Sequence, residues 1–307
     1  MVHLKNIVIL GAGALGGVYA SMLSEARETN VSMIADGERY ERLTRQGFII
    51  NGRQYMFPVR TPEDERPPAD LILVALKHQH LAGAVHDIKR CVGERTSILS
   101  VMNGLESEEY FASLYGKEKV LYGISVGIDA VREGNNITFS HVGKIIFGEA
   151  ENSRLSERVQ QVQALFDRAG IEHETPQDMI RALWWKFMVN VGINQASAIL
   201  RASYDIFQQS KDAQAMMESA MREVIVIARA ANVNLVEDDL RHWYTVLHTL
   251  SPQGKTSMLQ DVEAHRKTEV EMFAGKVVEL GHIYHIDTPV NLTFLRMIKA
   301  MEASFSL

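Results

Sequence analysis

A glycine-rich segment near the start of the chain constrains the fold more than any other feature. The segment Gly11-Ala12-Gly13-Ala14-Leu15-Gly16 directly follows the apolar run Ile7–Leu10 and precedes a helix-like stretch. In such a segment the first glycine permits a tight turn, the second lets a pyrophosphate approach the backbone, and the third lets the helix pack closely on the strand. The N–H groups and positive dipole of the helix N-terminus then face the phosphates. The spacing therefore predicts a dinucleotide-binding loop at residues 11–16.

Short apolar runs alternate with amphipathic stretches through the first half of the chain. The runs are bounded by glycine, aspartate or charged residues, as is typical of parallel strands that are buried on both faces. We expect strands at Asn6–Leu10, Val31–Ala35, Leu71–Leu76 and Ser97–Val101, and helices at Leu15–Glu25, Arg39–Gln46 and His80–Cys91. This alternation predicts a doubly wound α/β sheet of the Rossmann type.

The pattern changes twice along the rest of the chain. Strand-like pieces with turn signals from Val120 to Phe147 predict a hairpin that continues the sheet, and a helix at Ser153–Ala169 and a short strand at Ile171–Glu174 follow. After Pro176 helical periodicity dominates. The helices expected there are Met179–Leu200, Asp212–Ala231, Asp238–Leu250, Met258–Leu280 and Val290–Met301. The chain is thus predicted to contain a dinucleotide-binding domain, residues 1–175, and an all-α substrate domain, residues 176–307.

Composition narrows the possible partners. Lys and Arg total 32 against 38 Asp and Glu, and no stretch concentrates the basic residues that a nucleic acid backbone requires. The first apolar run, Ile7–Leu10, is far shorter than the ~20 residues of a membrane span, and glycines follow it instead of a signal-cleavage pattern. Cys91 is the only cysteine, which excludes an intrachain disulfide and a cysteine-based metal site. We expect a cytoplasmic protein that binds neither nucleic acid nor a membrane.

Asp36 bears on the choice of dinucleotide. It follows the second predicted strand, about 20 residues after Gly16, where this fold places the group that contacts the ribose. A carboxylate there can bind the two ribose hydroxyls of NAD(H) and would repel the 2′-phosphate of NADP(H), unless a basic neighbour such as Arg39 intervenes. The alternative is that Asp36 only caps the next helix.

Two further residues follow predicted strands. Lys77 comes after Leu71–Leu76, and Asn103 comes after Ser97–Val101. Open α/β sheets bind their ligands at the carboxyl ends of such strands, so both residues are candidates for the site. Either could instead be an ordinary turn residue.

One predicted helix is apolar on almost every side and yet carries three polar residues in steps of four. These are Lys186, Asn190 and Asn194. Steps of four advance by only about 40° around a helix, so the three side chains form one stripe. Burial disfavours the charged form of a lysine and lowers its pKa toward the range useful for proton transfer. The alternative is that Lys186 extends to solvent and the asparagines bind neighbouring backbone.

A second polar set lies further along the helical half, at Ser257–Asp261 and Lys267–Glu271. Charged residues at helical spacing usually form a solvated face. From the residue pattern alone this set can therefore be either a surface or part of the site.

Together these segments carry a family resemblance. The landmarks are the glycine loop, Leu73–Lys77, Met102–Gly104, Leu183–Asn194, Ser257–Asp261 and Thr268–Val270. With them the chain resembles the ketopantoate reductase (2-dehydropantoate 2-reductase) family, within the 6-phosphogluconate-dehydrogenase-like enzymes, nearly from end to end.

The resemblance implies an NAD(P)H-dependent reduction of ketopantoate to pantoate, a step of pantothenate and coenzyme A biosynthesis, without a metal. In such a mechanism Lys186 donates the proton and Glu269 binds the substrate hydroxyl. Asn190 and Asn194 position the substrate, and Ser257 contacts its carboxylate end. Asn103 corresponds to the family residue beside the nicotinamide, and Lys77 to one that lines the cofactor site.

The resemblance also implies NADP(H) as the cofactor and allows a homodimer. Members that prefer NADP(H) commonly carry a basic residue where this chain has Asp36, so NAD(H) stays open. Two other functions also stay open. One is the reduction of a different small 2-oxoacid, with changed pocket residues around His242, Tyr244 and Ser257. The other is a non-enzymatic dinucleotide-binding sensor, which would need no proton donor.

Overall fold

The fold is taken from a computed structural model that describes residues 3–306. The chain divides into two compact units, Met1–Ile180 and Arg181–Leu307. The sequence-based boundary near Thr175–Pro176 lies shortly before this division. Within the described residues, no helix is long and apolar enough to cross a membrane.

The first unit is a mixed, mainly parallel sheet with flanking helices, as the sequence predicts. Its strands are β1 Asn6–Leu10, β2 Asn30–Ile34, β3 Phe48–Ile50, β4 Arg53–Tyr55, β5 Val59–Arg60, β6 Leu71–Val74, β7 Ser97–Ser100, β8 Val120–Val126, β9 Val131–Glu133, β10 Asn136–Thr138, β11 Lys144–Gly148 and β12 His173–Glu174. Its helices are α1 Ala14–Glu25, α2 Gly37–Gln46, α3 Leu81–Ala84, α4 Ser107–Tyr115 and α5 Glu157–Ala169. Eight strands form the main sheet in the order β12-β11-β8-β7-β6-β1-β2-β5.

The central strands are buried on both faces, which explains their continuous apolar runs. On β1, Ile7 and Ile9 pack in the apolar cluster that also contains Val18 of α1 and Val162 of α5. Val8 and Leu10 face the opposite cluster. The strong sequence signal for β1, β2, β6 and β7 follows from this double burial.

Two expectations for the first unit are wrong in part. The segment from Val120 to Phe147 contributes β8 and β11 to the main sheet, but its hairpin β9–β10 belongs to a separate four-stranded sheet, in the order β4-β3-β10-β9. The helix expected at His80–Cys91 is only the short α3, with 3₁₀ turns at His78–His80 and Lys89–Cys91. Leu81, Val85 and Ile88 are buried at helical spacing, which produced the helical pattern although hydrogen bonding breaks after one turn.

The second unit is helical, as predicted, and residues 181–306 contain no strand. Its helices are α6 Met179–Leu200, α7 Tyr204–Gln209, α8 Lys211–Ala230, α9 Asp238–Leu247, α10 Ser257–Glu263, α11 Lys276–Tyr284 and α12 Pro289–Ala303. Helix α6 begins with the last two residues of the first unit.

The single helix expected at Met258–Leu280 is wrong. Helix α10 ends at Glu263, a π-helical turn follows at Glu271–Gly275, and α11 begins at Lys276. His265 has a left-handed φ of 50°, and the Arg266 N–H returns to the carbonyl of Asp261 at 2.8 Å, so the chain leaves the helical path there. Apolar residues continue at helical spacing on both sides of the break, which hid it from the sequence pattern.

Candidate active site

Four predicted site segments lie at one edge of the main sheet. The neighbouring strands β7, β6, β1 and β2 are parallel, so their carboxyl ends meet at the same edge. The glycine loop follows β1, Asp36 follows β2, Lys77 follows β6 and Asn103 follows β7. The first unit therefore brings together every cofactor-binding residue that the sequence predicts.

The three glycines of the loop differ in what surrounds them. Gly11 has a φ of +119°, and a Cβ there would overlap the backbone carbonyl of Ala75 on the adjacent chain segment. A Cβ at Gly16 would overlap the carbonyl oxygen of Gly11, so α1 packs directly against the loop. A Cβ at Gly13, by contrast, would meet no atom within 4 Å. The open side of the loop is thus at Gly13.

The loop fits the pyrophosphate of a dinucleotide. Gly13 is the N-cap of α1 and has no side chain to satisfy the N–H groups of the first turn. No acidic residue stands in that turn. The N–H groups and the space beside Gly13 can therefore receive a phosphate without repulsion.

Asp36 stands at the N-cap position of α2 but makes no side-chain capping hydrogen bond. Its side chain is exposed, so the structure gives no support to a pure capping role. Lys77 is also exposed, and Asn103 is half-buried.

Two arginines near the loop, Arg132 and Arg42, escaped the sequence reasoning, which named only Arg39. Arg132 on β9 donates a hydrogen bond to the carbonyl of Ala12 and lies over the Phe48 ring, with its guanidinium carbon 5.2 Å from the ring centroid. Burial lowers the pKa of Arg132, and the positive charges of Arg42 and Arg39 lower it further.

The positive charge around Arg39, Arg42 and Arg132 also reaches the residues that follow β6. Burial lowers the pKa of His80, and the charges of Arg39 and Lys77 add to this effect. Neither Arg39 nor Arg42 has an ion-pair partner within residues 3–306. The pairings of β9 with β10 and of β10 with β3 place Arg132 near the loop, and no local sequence signal reports the second pairing.

In the second unit, Lys186 lies on the buried helix α6. Its own surface is only partly accessible, and its helix neighbours Phe187, Val189 and Asn190 are buried. Burial lowers the pKa of Lys186 from its usual 10.5 to about 8. A large fraction of the side chain is therefore ammonium at neutral pH, and it gives up its proton far more readily than an exposed lysine does.

The two asparagines of the stripe are joined to the helix α10. Asn194 Nδ2 donates to Asn190 Oδ1 at 3.2 Å, and Asn194 Oδ1 accepts the hydroxyl of Ser257 at 3.1 Å and the N–H of Met258 at 3.3 Å. The asparagines are only 4% and 6% exposed. The two asparagines and Ser257 thus form one hydrogen-bonded group, and the asparagines do not merely bind the backbone of their own helix.

Glu269 lies just before the π-helical turn, a geometry that often occurs at functional sites. The carbonyl of Glu269 accepts the N–H groups of Met272 and Phe273 at 3.0 and 3.2 Å. Gln195 anchors this turn to α6, since its Oε1 accepts the N–H of Ala274 at 3.1 Å. Gln195 is fully buried and was missed by the sequence reasoning, although a glutamine inside an apolar helix is itself a signal.

The rest of the second polar set is divided between surface and interior. Lys267 is exposed, and Glu271 is exposed and pairs with Lys299 at 2.7 Å, as a solvated face requires. Asp261 is buried and accepts a hydrogen bond from Arg266 Nε at 2.9 Å. The alternative of a purely solvated surface therefore holds for only part of the set.

Two protein-family models match the chain. The model described as "Ketopantoate reductase PanE/ApbA" matches residues 7–152, and "Ketopantoate reductase PanE/ApbA C terminal" matches residues 178–302. A 2-dehydropantoate 2-reductase of Pyrococcus horikoshii is 28% identical over 303 residues, which cover 97% of this chain and 98% of the relative.

Solved structures agree with these matches. The 2-dehydropantoate 2-reductase from Geobacter metallireducens GS-15 has a TM-score of 0.83 and 27% identity, covering 96% of this chain and 99% of its own. D-mandelate dehydrogenase with NADH and anilino(oxo)acetate has a TM-score of 0.89 at 20% identity, covering 99% of this chain and 100% of its own. At that identity the likeness shows the fold alone.

Proposed function

The chain belongs to the ketopantoate reductase family, and we propose that it reduces 2-dehydropantoate (ketopantoate) to pantoate with a dihydronicotinamide dinucleotide. The observation that carries the proposal is the Lys186–Asn190–Asn194 stripe with Ser257, in a chain that matches the family over both units. A non-enzymatic dinucleotide sensor has no need for a lysine with a lowered pKa.

The proposed chemistry assigns the proton to Lys186. The dinucleotide, when bound, supplies the hydride that reduces the ketone carbon. Lys186 Nζ, as ammonium, stabilises the negative charge that develops on the ketone oxygen and donates a proton to it. The neutral amine then regains its proton from water. A pKa of about 8 suits this cycle, because the group is largely protonated at neutral pH and still a competent acid.

The polar groups around the stripe would hold the substrate. Asn190 and Asn194 keep fixed orientations through their mutual hydrogen bond and through Ser257, so they can present amide groups without reorganising. By resemblance, Ser257 contacts the carboxylate end and Glu269 binds the hydroxyl of ketopantoate.

For the cofactor we favour NADP(H). The glycine loop would hold the pyrophosphate, with Lys77 and Asn103 at the same edge of the sheet. Arg39, Arg42 and Arg132 supply three positive charges near the loop, against the carboxylates of Asp36 and Asp87, both of which lie within electrostatic range of one another. This excess of positive charge favours a 2′-phosphate despite Asp36. The homodimer expected from the resemblance stays a prediction.

The test of the function is the initial rate of dihydronicotinamide oxidation by the purified full chain, with ketopantoate and with a panel of other 2-oxoacids. We expect ketopantoate to give the highest kcat/KM. A higher kcat/KM for another 2-oxoacid would show that ketopantoate is not the preferred substrate, while the chain would still be a 2-oxoacid reductase. Dinucleotide binding without oxidation by any 2-oxoacid would favour the sensor.

The test of the cofactor compares NADPH with NADH in wild type, Arg39→Ala and Asp36→Ala. Loss of one charge-assisted hydrogen bond should weaken NADPH binding about 10- to 100-fold in Arg39→Ala and leave NADH binding nearly unchanged. Asp36→Ala should weaken NADH binding and strengthen NADPH binding, because the carboxylate would contact the ribose hydroxyls of NADH and repel the 2′-phosphate of NADPH. An equal loss of both cofactors in Arg39→Ala would contradict a 2′-phosphate site.

A further inference from the structure

A buried carboxyl group lies beside the turn that carries Asn103. Glu108, in the first turn of α4, is 2% exposed. Its Oε2 accepts the hydroxyl of Ser107 at 2.9 Å, and its Oε1 accepts the N–H of Gly123 on β8 at 3.5 Å. Ser107 Oγ lies 2.7 Å from Ser100 Oγ at the end of β7. Ser100 Oγ in turn accepts the N–H of Met102 at 3.3 Å. A chain of hydrogen bonds thus links the carboxyl group to the N–H of Met102, the residue before Asn103.

The charge of Glu108 determines the direction of this chain. An ionised carboxylate can only accept, so Ser107 donates to Glu108, Ser100 donates to Ser107, and Ser100 accepts from Met102. Every donor then points toward the negative charge, which strengthens each bond in the series. A protonated carboxyl can donate to Ser107 instead, and the hydroxyl of Ser100 then loses its acceptor in the chain.

We propose that Glu108 is a positioning residue, which holds the Met102–Asn103 turn through Ser107 and Ser100 and holds it more tightly when ionised. The consequence for catalysis rests on the proposed function, because Asn103 corresponds by resemblance to the residue beside the nicotinamide. The hydrogen-bond chain itself does not depend on that function.

The surroundings of Glu108 place its titration near neutral pH. Burial raises the pKa of Glu108 to about 7, although its own N–H, Ser107 and the Gly123 N–H act to lower it. The titratable groups that act with it are Glu109 on the same helix, whose charge raises this pKa further, and Tyr122 on β8. Burial and the charge of Glu108 in turn raise the pKa of Tyr122.

The direct test follows the amide signal of Met102 by NMR in the free protein. Methionine is labelled with nitrogen-15, and Met102→Leu identifies the signal among the 14 methionines. We expect the signal to move between pH 5.5 and 8.5 with a midpoint near 7. This pH-dependent shift should be absent in Glu108→Gln, which removes the titrating carboxyl group. It should also be absent in Ser100→Ala, which keeps the carboxyl group but breaks the chain of hydrogen bonds. It should persist in Glu109→Gln, a matched change at the exposed neighbour.

The second readout is the pH profile of kcat/KM for ketopantoate. In the wild type, kcat/KM should fall about 2- to 10-fold as pH decreases below 7, which corresponds to the free energy of one hydrogen bond. In Glu108→Gln this decrease at acidic pH should be absent. A Met102 signal that titrates unchanged in Glu108→Gln would overturn the proposal. Should ketopantoate not be turned over at all, the proposed function fails, and the NMR result still decides whether Glu108 controls the turn.

Discussion

The glycine loop of the first unit and helix α6 of the second unit are built in different ways. The loop presents its backbone, since Gly11 has a positive φ, Gly16 lies close to the Gly11 carbonyl and Gly13 faces open space. Helix α6 works through side chains, and its asparagines are oriented by Ser257 on α10, a helix far along the chain. Backbone sites can be recognised from a short motif, whereas side-chain sites depend on packing partners.

The largest effect that tests this contrast is expected at Lys186. Lys186→Ala should lower kcat by about 10²- to 10⁴-fold, the usual size of a general acid contribution, with little change in dinucleotide affinity. The measurements are steady-state rates and a fluorescence titration with NADPH. Lys211→Ala, at an exposed lysine on α8, is the matched control. Unchanged turnover in Lys186→Ala would remove this lysine from the mechanism.

The next largest effect is expected at Asn194. Asn194→Ala removes the acceptor of Ser257 and the donor to Asn190, so the polar group should lose its orientation. We expect KM for ketopantoate to rise about 10- to 100-fold, as for lost hydrogen bonds to a charged ligand, while the NADPH dissociation constant stays the same. Asn234→Ala, at an exposed position, serves as the control. A parallel loss of both affinities would indicate misfolding rather than a substrate contact.

A pH profile tests Lys186 without a mutation. The proton donor must be charged, so kcat/KM should fall as pH rises through the pKa of about 8. At pH 9 the rate constant should be about one-tenth of its plateau, since the protonated fraction falls about tenfold per pH unit above the pKa. An ordinary lysine would hold its proton until about pH 10.4. A profile that stays flat to pH 9.5 would contradict the lowered pKa.

The smallest effects separate the roles of two glycines in the loop. A Cβ at Gly13 meets no protein atom, so Gly13→Ala should leave the thermal midpoint unchanged and weaken NADPH binding about 2- to 10-fold. A Cβ at Gly16 overlaps the Gly11 carbonyl, so Gly16→Ala should destabilise the fold by about 1–3 kcal/mol. Thermal unfolding and cofactor titration of both variants measure the difference. Equal destabilisation by the two changes would mean that Gly13 is a packing residue.

The sequence pattern predicted correctly four strands whose own residues are almost all buried. Strands β1, β2, β6 and β7 appear as apolar runs because both of their faces are buried. The pattern gave no strand for β3 or β4, and it assigned the β9–β10 hairpin to the main sheet, because the pairing of β10 with β3 joins segments that are far apart in the chain. It also extended one helix across the break between Glu263 and Glu271, because apolar spacing reports burial and not hydrogen bonding.

The sequence by itself determined the doubly wound sheet, the helical second unit, the glycine loop and the polar stripe of α6. Each of these depends on periodicity or on glycine within one segment, so a single stretch of chain contains the whole signal. Only the tertiary structure decided the surroundings of Arg132, the hydrogen bond from Ser257 to Asn194 and the burial of Glu108. Charge and hydrogen bonding act over a few ångströms in space, and such neighbours come from residues that are far apart in the chain.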